Sequence, residues 1–528
     1  MTVNSLAFFL CFGVSVVIYY LFPKKYRWTV LLTVSLIFYH WMGVDNFLYV
    51  LFTTATLVLS TQKMYQIEQK LEKELKEQKE TLSRQEKKEK KAKAKAQKRR
   101  WLVLGVLVTN LGVLLVLKYG NFFINNVNLI FQSLGLNPLN KLGLLAPLGI
   151  SYYTLQSIGY ALEVYKGKSV PEKNPLKVLL FVTYYPQMTQ GPIGRYPDLA
   201  PQLYEGHEFS YHNLSFGCQR ILWGLFKKMV IADHMRPMVN TIFDHCAAQS
   251  GFTLFLGCIY MTIQVYADFS GYTDIVLGVS QIYGIEMMEN FQRPFSSQSL
   301  SEYWRRWHIS LSSWFRDYVF YPASISKGAM SFGKLGKKIC SPRIRKLFPV
   351  VYALSLVWFC TGFWHDASWR YIFWGIANGV VIISAIILEP QFQWMKEKLH
   401  IPQESRWWKN FCVVRTFLII ALLKVFPGPN DTHATLVTIK RILFHFQPSL
   451  TREAFFPGME TYALVYIAFG LLVFFLVSRI QAKGSAREYL EKKPFVVRWA
   501  IYLILMAAIL GLGVFDNTMV GGFEYAQF

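Results

Sequence analysis

The sequence predicts an all-helical protein threaded many times through a membrane, and three observations predict it. Of 528 residues, 53% are hydrophobic and only 17% charged, whereas an ordinary soluble domain is about a quarter charged. The apolar residues come in repeated blocks, each close to the roughly 20 helical residues that cross a bilayer. Aromatic residues reach 16%, with 30 Tyr and 15 Trp, a surplus that suits packed helices and the belts at membrane interfaces. A disulfide scaffold, a disordered chain and a water-soluble enzyme are excluded. The seven cysteines show no C-x-x-C pair and read as small buried hydrophobes.

The first block, 5–22, is followed by Lys24, Lys25 and Arg27 with no small-residue cleavage site, so it reads as a first span, not a cleaved leader. Blocks 28–42 and 46–62 follow. Segment 63–100 then holds 15 Lys/Arg against 7 Glu. Its Ala, Gln, Leu, Glu and Lys content predicts a solvated cytoplasmic helix or hairpin; a tail that binds anionic lipid or another partner is the second reading. The net charge of +24 is distributed as membrane-flanking clusters, and no nucleic-acid partner is expected. Later blocks fall at 101–118, 143–164, 251–284, 347–364, 369–388, 411–426, 461–478 and 497–515, with one or two more inside 175–245. The prediction is a polytopic bundle of roughly 11–13 spans, with re-entrant or short helices around a central tunnel.

Charge orients the spans. With 63–100 inside the cell, the three spans before it put the N-terminus outside and leave Lys24, Lys25 and Arg27 inside. Residues 318–346 carry seven Lys/Arg and no acid, so they read as cytoplasmic. Span 347–364 then delivers His365 to the outer side. The basic segments 391–410 and 479–498 return to the cytoplasm, and 427–460, with three basic and three acidic residues, lies outside. Both termini are expected outside the cytoplasm.

Polar clusters at membrane depth are costly and therefore functional candidates. One is Ser301–Asp317. Written on a helix, Trp304, Trp307, Leu311 and Trp314 form an apolar stripe while Arg305, Ser312 and Arg316 share another face; it suits a tilted or re-entrant helix buried in protein. The other is Thr361–Asp366 at the outer end of a span, where His365 has the acid–base range of a general base. Read alone, each histidine is as well explained by a hydrogen-bonded packing role. Asp366, next in the chain, points elsewhere on a helix and makes a poor triad partner. His207, His212, His234, His245 and His445 are scattered and read as loop or packing residues. Asp268 and Asp274 are expected to satisfy Tyr and backbone groups inside the bundle, with pore lining as the alternative. Gly328–Lys334 has the spacing of a phosphate loop, but Leu335 stands where Ser or Thr would hold magnesium. No spacing matches a zinc site or a serine-hydrolase elbow, and no metal is expected.

The run Tyr303–Tyr321 closely resembles the WRRWHISLSxWFRDY signature of membrane-bound O-acyltransferases, and Trp364-His365 resembles the second histidine motif of that superfamily. Pro147–Gln156, Gln190–Tyr196, Asp268–Asp274 and Asn290–Phe295 are similar to further motifs of its bacterial alginate-O-acetylation branch, in the same order. The likeness is close over about 147–390. Two departures are Tyr321-Pro322-Ala323-Ser324, in place of a Gly-rich continuation, and the insertion at 63–100. Arg305, where relatives that attach D-alanine to teichoic acid tend to carry Asn, favours the alginate-type subgroup.

The resemblance implies an O-acyltransferase with His365 as the catalytic base. It implies a donor-tunnel or structural role for His308, Trp304, Arg305, Arg306, Trp307, Arg316 and Asp317, with Asp268, Asn290 and Trp364 lining the site. Joined to the charge-derived topology, it puts the two histidines on opposite membrane faces, His308 on the cytoplasmic side and His365 near the outer one, which suggests a tunnel between them. No covalently bound cofactor is expected; the donor would be acetyl-CoA or an acyl-carrier-protein thioester, supplied in the second case by a cytoplasmic acyl carrier. The acceptor would be a polysaccharide or cell-wall polymer outside the cell, reached with an esterase-like acetyltransferase partner on that side. The ending Phe523–Phe528 resembles a terminal F-x-Y-x-x-F element of cell-wall acylation systems, and implies that Tyr525 carries the acyl group as a phenolic ester; an interfacial anchor is the alternative. A sister enzyme acting on lysophospholipid or protein, and a transporter, are the competing functions; the chain lacks the internal repeat a transporter is expected to show.

Overall fold

The structure, a computed structural model, describes residues 5–41, 45–144, 147, 149–339 and 342–515. The terminal element 516–528, with Tyr525, lies outside them. Helices α1 (Leu6–Leu21), α2 (Arg27–Trp41), α3 (Asp45–Glu77), α4 (Arg84–Ser133), α5 (Ile150–Tyr165) and α6 (Pro175–Thr183) are followed by α7 (Tyr211–Phe226) and α8 (Gly251–Ile282). Two short helices come next, α9 (Leu300–Arg306) and α10 (Ile309–Phe315). The chain closes with α11 (Pro342–His365), α12 (Trp369–Ile387), α13 (Arg406–Leu422), α14 (Thr461–Gln481), α15 (Ala486–Glu491) and α16 (Phe495–Leu512). Among the described residues there is no strand, only an isolated antiparallel bridge between Phe291 and Trp307. Among the described residues, six helices are long and apolar enough to cross a membrane: α4, α8, residues 346–365 of α11, α12, α14 and α16. Predicted spans 28–42, 46–62, 143–164 and 411–426 appear as α2, α3, α5 and α13, which are shorter or more polar.

The chain forms two compact units, Met1–Gly217 with Val279–Met287, and Cys218–Gly278 with Met288–Phe528. In the first, segment 63–100 is an antiparallel hairpin made by the polar end of α3 and the start of α4. Ser83 begins the return helix with a capping box: its hydroxyl accepts from Glu86 N at 3.2 Å, and the Glu86 carboxylate accepts from Ser83 N at 2.8 Å. Lys98 pairs with Glu68, and Lys90 lies 3.4 Å from Glu74, across the hairpin. The core of this unit is built on buried tyrosines, several of which have partnered hydroxyls. Tyr283 meets both Ser15 and Tyr185, and Tyr184 donates to Ser280. Tyrosine can be buried whole where its hydroxyl finds a partner.

In the second unit α8 is central: 67% of its apolar stretch is buried, against 11% for α16 and 17% for α14. The last two turn their apolar surface outward, as helices facing hydrocarbon do. Helices pack in lipid through small residues that let backbones approach, and two such crossings place the chemistry. A Cβ at Gly224 of α7 would stand 2.5 Å from the carbonyl of Gly271 of α8. A Cβ at Gly375 of α12 would stand 2.4 Å from the carbonyl of Trp358 of α11. The second crossing brings Tyr371 and Trp374 against the last turn of α11.

Candidate active site

The predicted continuous helix through 301–317 is broken. Helix α9 stops at Arg306, Trp307 is extended, and His308 takes a left-handed conformation (φ 46°, ψ 52°) before α10 starts at Ile309. The predicted Trp304–Trp307–Leu311–Trp314 stripe therefore does not run through. A non-glycine residue is uncommon in this region and is held there only by its surroundings. Segment 290–292 supplies the hold: Gln292 N donates to Arg306 O at 3.0 Å and Ile309 N to Asn290 O at 3.1 Å. The Asn290 side-chain oxygen accepts from Ser310 N at 3.1 Å and Ser310 Oγ at 2.9 Å, and lies 3.3 Å from His308 Nδ1.

These bonds decide the state of His308. Ser310 N is a donor, so the atom it meets is the Asn290 carbonyl oxygen, and His308 Nδ1 must donate to it. Nε2 then carries the lone pair; it is buried and has no hydrogen-bond partner among the described residues. The imidazole, 1% exposed, rests edge-on against Phe269 with centroids 4.8 Å apart. Burial, and then the nearby charge site of His365, hold its proton affinity well below the usual histidine range. It is a neutral base.

His365 ends α11 and is 4% exposed. Its Nδ1 donates to the Thr361 carbonyl at 2.6 Å, which again leaves Nε2 as the lone-pair nitrogen. Trp364 and Trp374 stand edge-on to the ring, each with centroids 5.0 Å away, and Tyr371 is nearly parallel at 6.3 Å. Asp366 lies 3.9 Å from Arg370.

The two histidines do not lie on opposite faces. The Trp364 ring is 6.1 Å from that of His308 and 5.0 Å from that of His365, so both imidazoles flank one indole. The break at Trp307–His308 makes this possible, because it turns His308 inward where a continuous helix would carry it past.

The other predicted residues surround the centre or stand away from it. Trp304 donates from Nε1 to Asn378 at 3.2 Å and packs on Trp358 and Trp374. Trp307 is buried against Phe291, Tyr266 and Tyr303. Arg305 is exposed, Arg306 pairs with Glu302 at 2.6 Å, and Arg316 pairs with Asp317 at 2.8 Å. Asp268 and Asp274 have cationic partners that the sequence reading did not foresee. Lys228 donates to Asp268 and Asp233, each at 2.7 Å; Asp274 accepts from Lys227 at 2.6 Å and Arg220 at 2.9 Å. Lys227 and Lys228 were missed as partners. They lie in a π-helical stretch, Lys227–Ala232, inside an apolar run; a lysine pair there is costly without carboxylates, and that was the readable signal.

Among known proteins, the model of the membrane-bound O-acyltransferase family, MBOAT, matches residues 172–338. The chain is 34% identical over 365 residues to Probable alginate O-acetylase AlgI of Azotobacter vinelandii, covering 69% of this chain and 64% of that one. It is 31% identical to Peptidoglycan O-acetyltransferase of Helicobacter pylori, over 65% of each chain. Against Probable alginate O-acetylase AlgI of Pseudomonas putida it is 35% identical over 99% of both chains. With that likeness running the full length and the paired histidine motifs meeting in one place, the chain belongs to the membrane-bound O-acyltransferase family.

Proposed function

We propose that the protein moves an acetyl or other short acyl group from a cytoplasmic thioester, acetyl-CoA or an acyl-carrier-protein conjugate, to a hydroxyl of a polysaccharide or cell-wall polymer outside the bacterial plasma membrane. The observation that carries this reading is the meeting of two buried imidazoles, each locked by its Nδ1 hydrogen bond so that Nε2 holds a lone pair. Names of the relatives, an alginate O-acetylase and a peptidoglycan O-acetyltransferase, share a polymer oxygen as acyl acceptor.

In this mechanism His365 Nε2 takes the proton of the acceptor hydroxyl as its oxygen attacks the thioester carbonyl. The tetrahedral intermediate collapses, the C–S bond breaks, and the thiolate takes the proton back from His365. Atoms and charge balance without a cofactor. His308 is the second proton acceptor of the same apolar pocket and holds the hydroxyl in line. Burial excludes water, which would otherwise compete for the thioester. The outward orientation of both termini, an acyl relay through Tyr525 and the esterase-like partner complete the proposal; the first rests on the charge pattern, the second on the terminal motif and the third on the family resemblance.

The test is acyl transfer from labelled acetyl-CoA or carrier conjugate to polymer in membranes. His365→Ala should lower transfer by roughly 10²–10⁴-fold with the protein still inserted, and full retention would overturn the assignment. Tyr525→Phe should halt delivery to the polymer if the phenol carries the group; unchanged delivery would end the relay.

A further inference from the structure

Asn378 is 1% exposed, in a helix (α12) apolar enough to cross a membrane, and the reaction above does not use it. An amide at that depth is costly unless its polar atoms find partners. Both do. Its Nδ2 donates to the Trp374 carbonyl one turn back at 2.8 Å, and its Oδ1 accepts from Trp304 Nε1 of α9 at 3.2 Å. The two partners fix this orientation independently, because a carbonyl can only accept and an indole N–H can only donate. The bond within α12 holds the amide still, so it offers a fixed acceptor to one indole of another helix.

The surroundings of that indole tie the bond to the centre. Trp304 lies four residues before His308, on the short helix that ends just ahead of the left-handed turn. Its ring stands edge-on to Trp358 of α11 at 5.0 Å and to Trp374 of α12 at 5.7 Å. Trp374 in turn stands edge-on to His365 at 5.0 Å. The helix leading into His308 is therefore joined to the two helices that carry and flank His365. Edge-on rings tolerate a range of separations, whereas a hydrogen bond fixes both distance and direction.

We infer, on the acyl-transfer reading, that Asn378 is a positioning residue: through Trp304 it sets the separation of His308 and His365. That separation decides whether one hydroxyl can meet both Nε2 atoms. Chemistry between aligned groups is sensitive to small displacements, so loss of the bond should lower kcat. Donor binding does not draw on the alignment, and KM should hold.

The test uses the full-length protein in membranes with labelled acetyl-CoA and polymer, rates being expressed per folded molecule. Asn378→Leu, close in volume and without polar atoms, should lower kcat on the order of 10–100-fold while KM for acetyl-CoA stays within about twofold. Trp304→Phe keeps a ring and loses the N–H; it should lower kcat similarly, and serves if the leucine variant misfolds. Because the two residues act through one bond, the double variant should be no slower than the slower single one. A purely structural Asn378 would lower the yield or the thermal midpoint and leave kcat per folded molecule unchanged. That outcome, a raised KM with kcat kept, or losses that multiply in the double variant would each overturn the inference. His365→Ala is assayed alongside. Its full activity would strike down the acyl-transfer reading, whereas its inactivity beside full activity in both other variants strikes down the role of Asn378 alone.

Discussion

Asn290 governs the site through hydrogen bonds alone. Its carbonyl oxygen sets the tautomer of His308, and Ser310 sets which atom of Asn290 is that oxygen. Asn290→Asp keeps an acceptor there but adds a negative charge beside Nδ1, which favours the imidazolium and raises the proton affinity of His308. Activity should then fall on the acid side at a higher pH than in the wild type, so the acid limb of the kcat/KM profile moves upward. Asn290→Ala should lower kcat without that displacement. A merely structural Asn290 would move neither limb. Both histidines were readable as motif members, and Asn290 as a neighbour of the site. Their meeting was not readable, because the left-handed turn at His308 is imposed by hydrogen bonds from a segment 18 residues away, and helical periodicity carries no trace of such a bond.

Helix positions followed from apolar blocks, and their contacts from glycines whose partners lie elsewhere in the chain. Gly375→Ala puts a methyl group 2.4 Å from the Trp358 carbonyl, so α12 must retreat from α11 and loosen Trp374 against His365. The expected loss is about 1–3 kcal/mol of stability, read as a lower midpoint in thermal unfolding, together with reduced transfer. Gly13→Ala in α1, with nothing within 4 Å, is the control and should be neutral or slightly stabilising. The 63–100 segment was legible as helical from composition. Its form as a closed hairpin depends on Ser83 and Glu86 and on pairs between its two helices such as Lys90–Glu74. Conversely, the lysines at 227 and 228 stand in an apolar run whose hydropathy hid the carboxylates that neutralise them.

At the level of the entire chain, the two histidines and the ion-paired carboxylates belong to the unit formed by Cys218–Gly278 and Met288–Phe528. The hairpin belongs to the other unit and closes on itself. Replacing 75–89 by a short Gly-Ser turn should therefore leave acyl transfer in membranes within about twofold of wild type; a larger loss would show that the projecting tip takes part in donor delivery. The class of the molecule was legible from hydropathy and its family from ordered motifs, since both are local properties of the string. How distant segments converge was not.

The break at His308 also bears on biogenesis. Residues 290 and 308 leave the ribosome before 365, and the centre needs all three together with the indole at 364. A nascent protein can hold its first imidazole in place and still lack the second. The paired centre is complete only when the helix ending in His365 has docked and set the Trp364 indole between the two imidazoles.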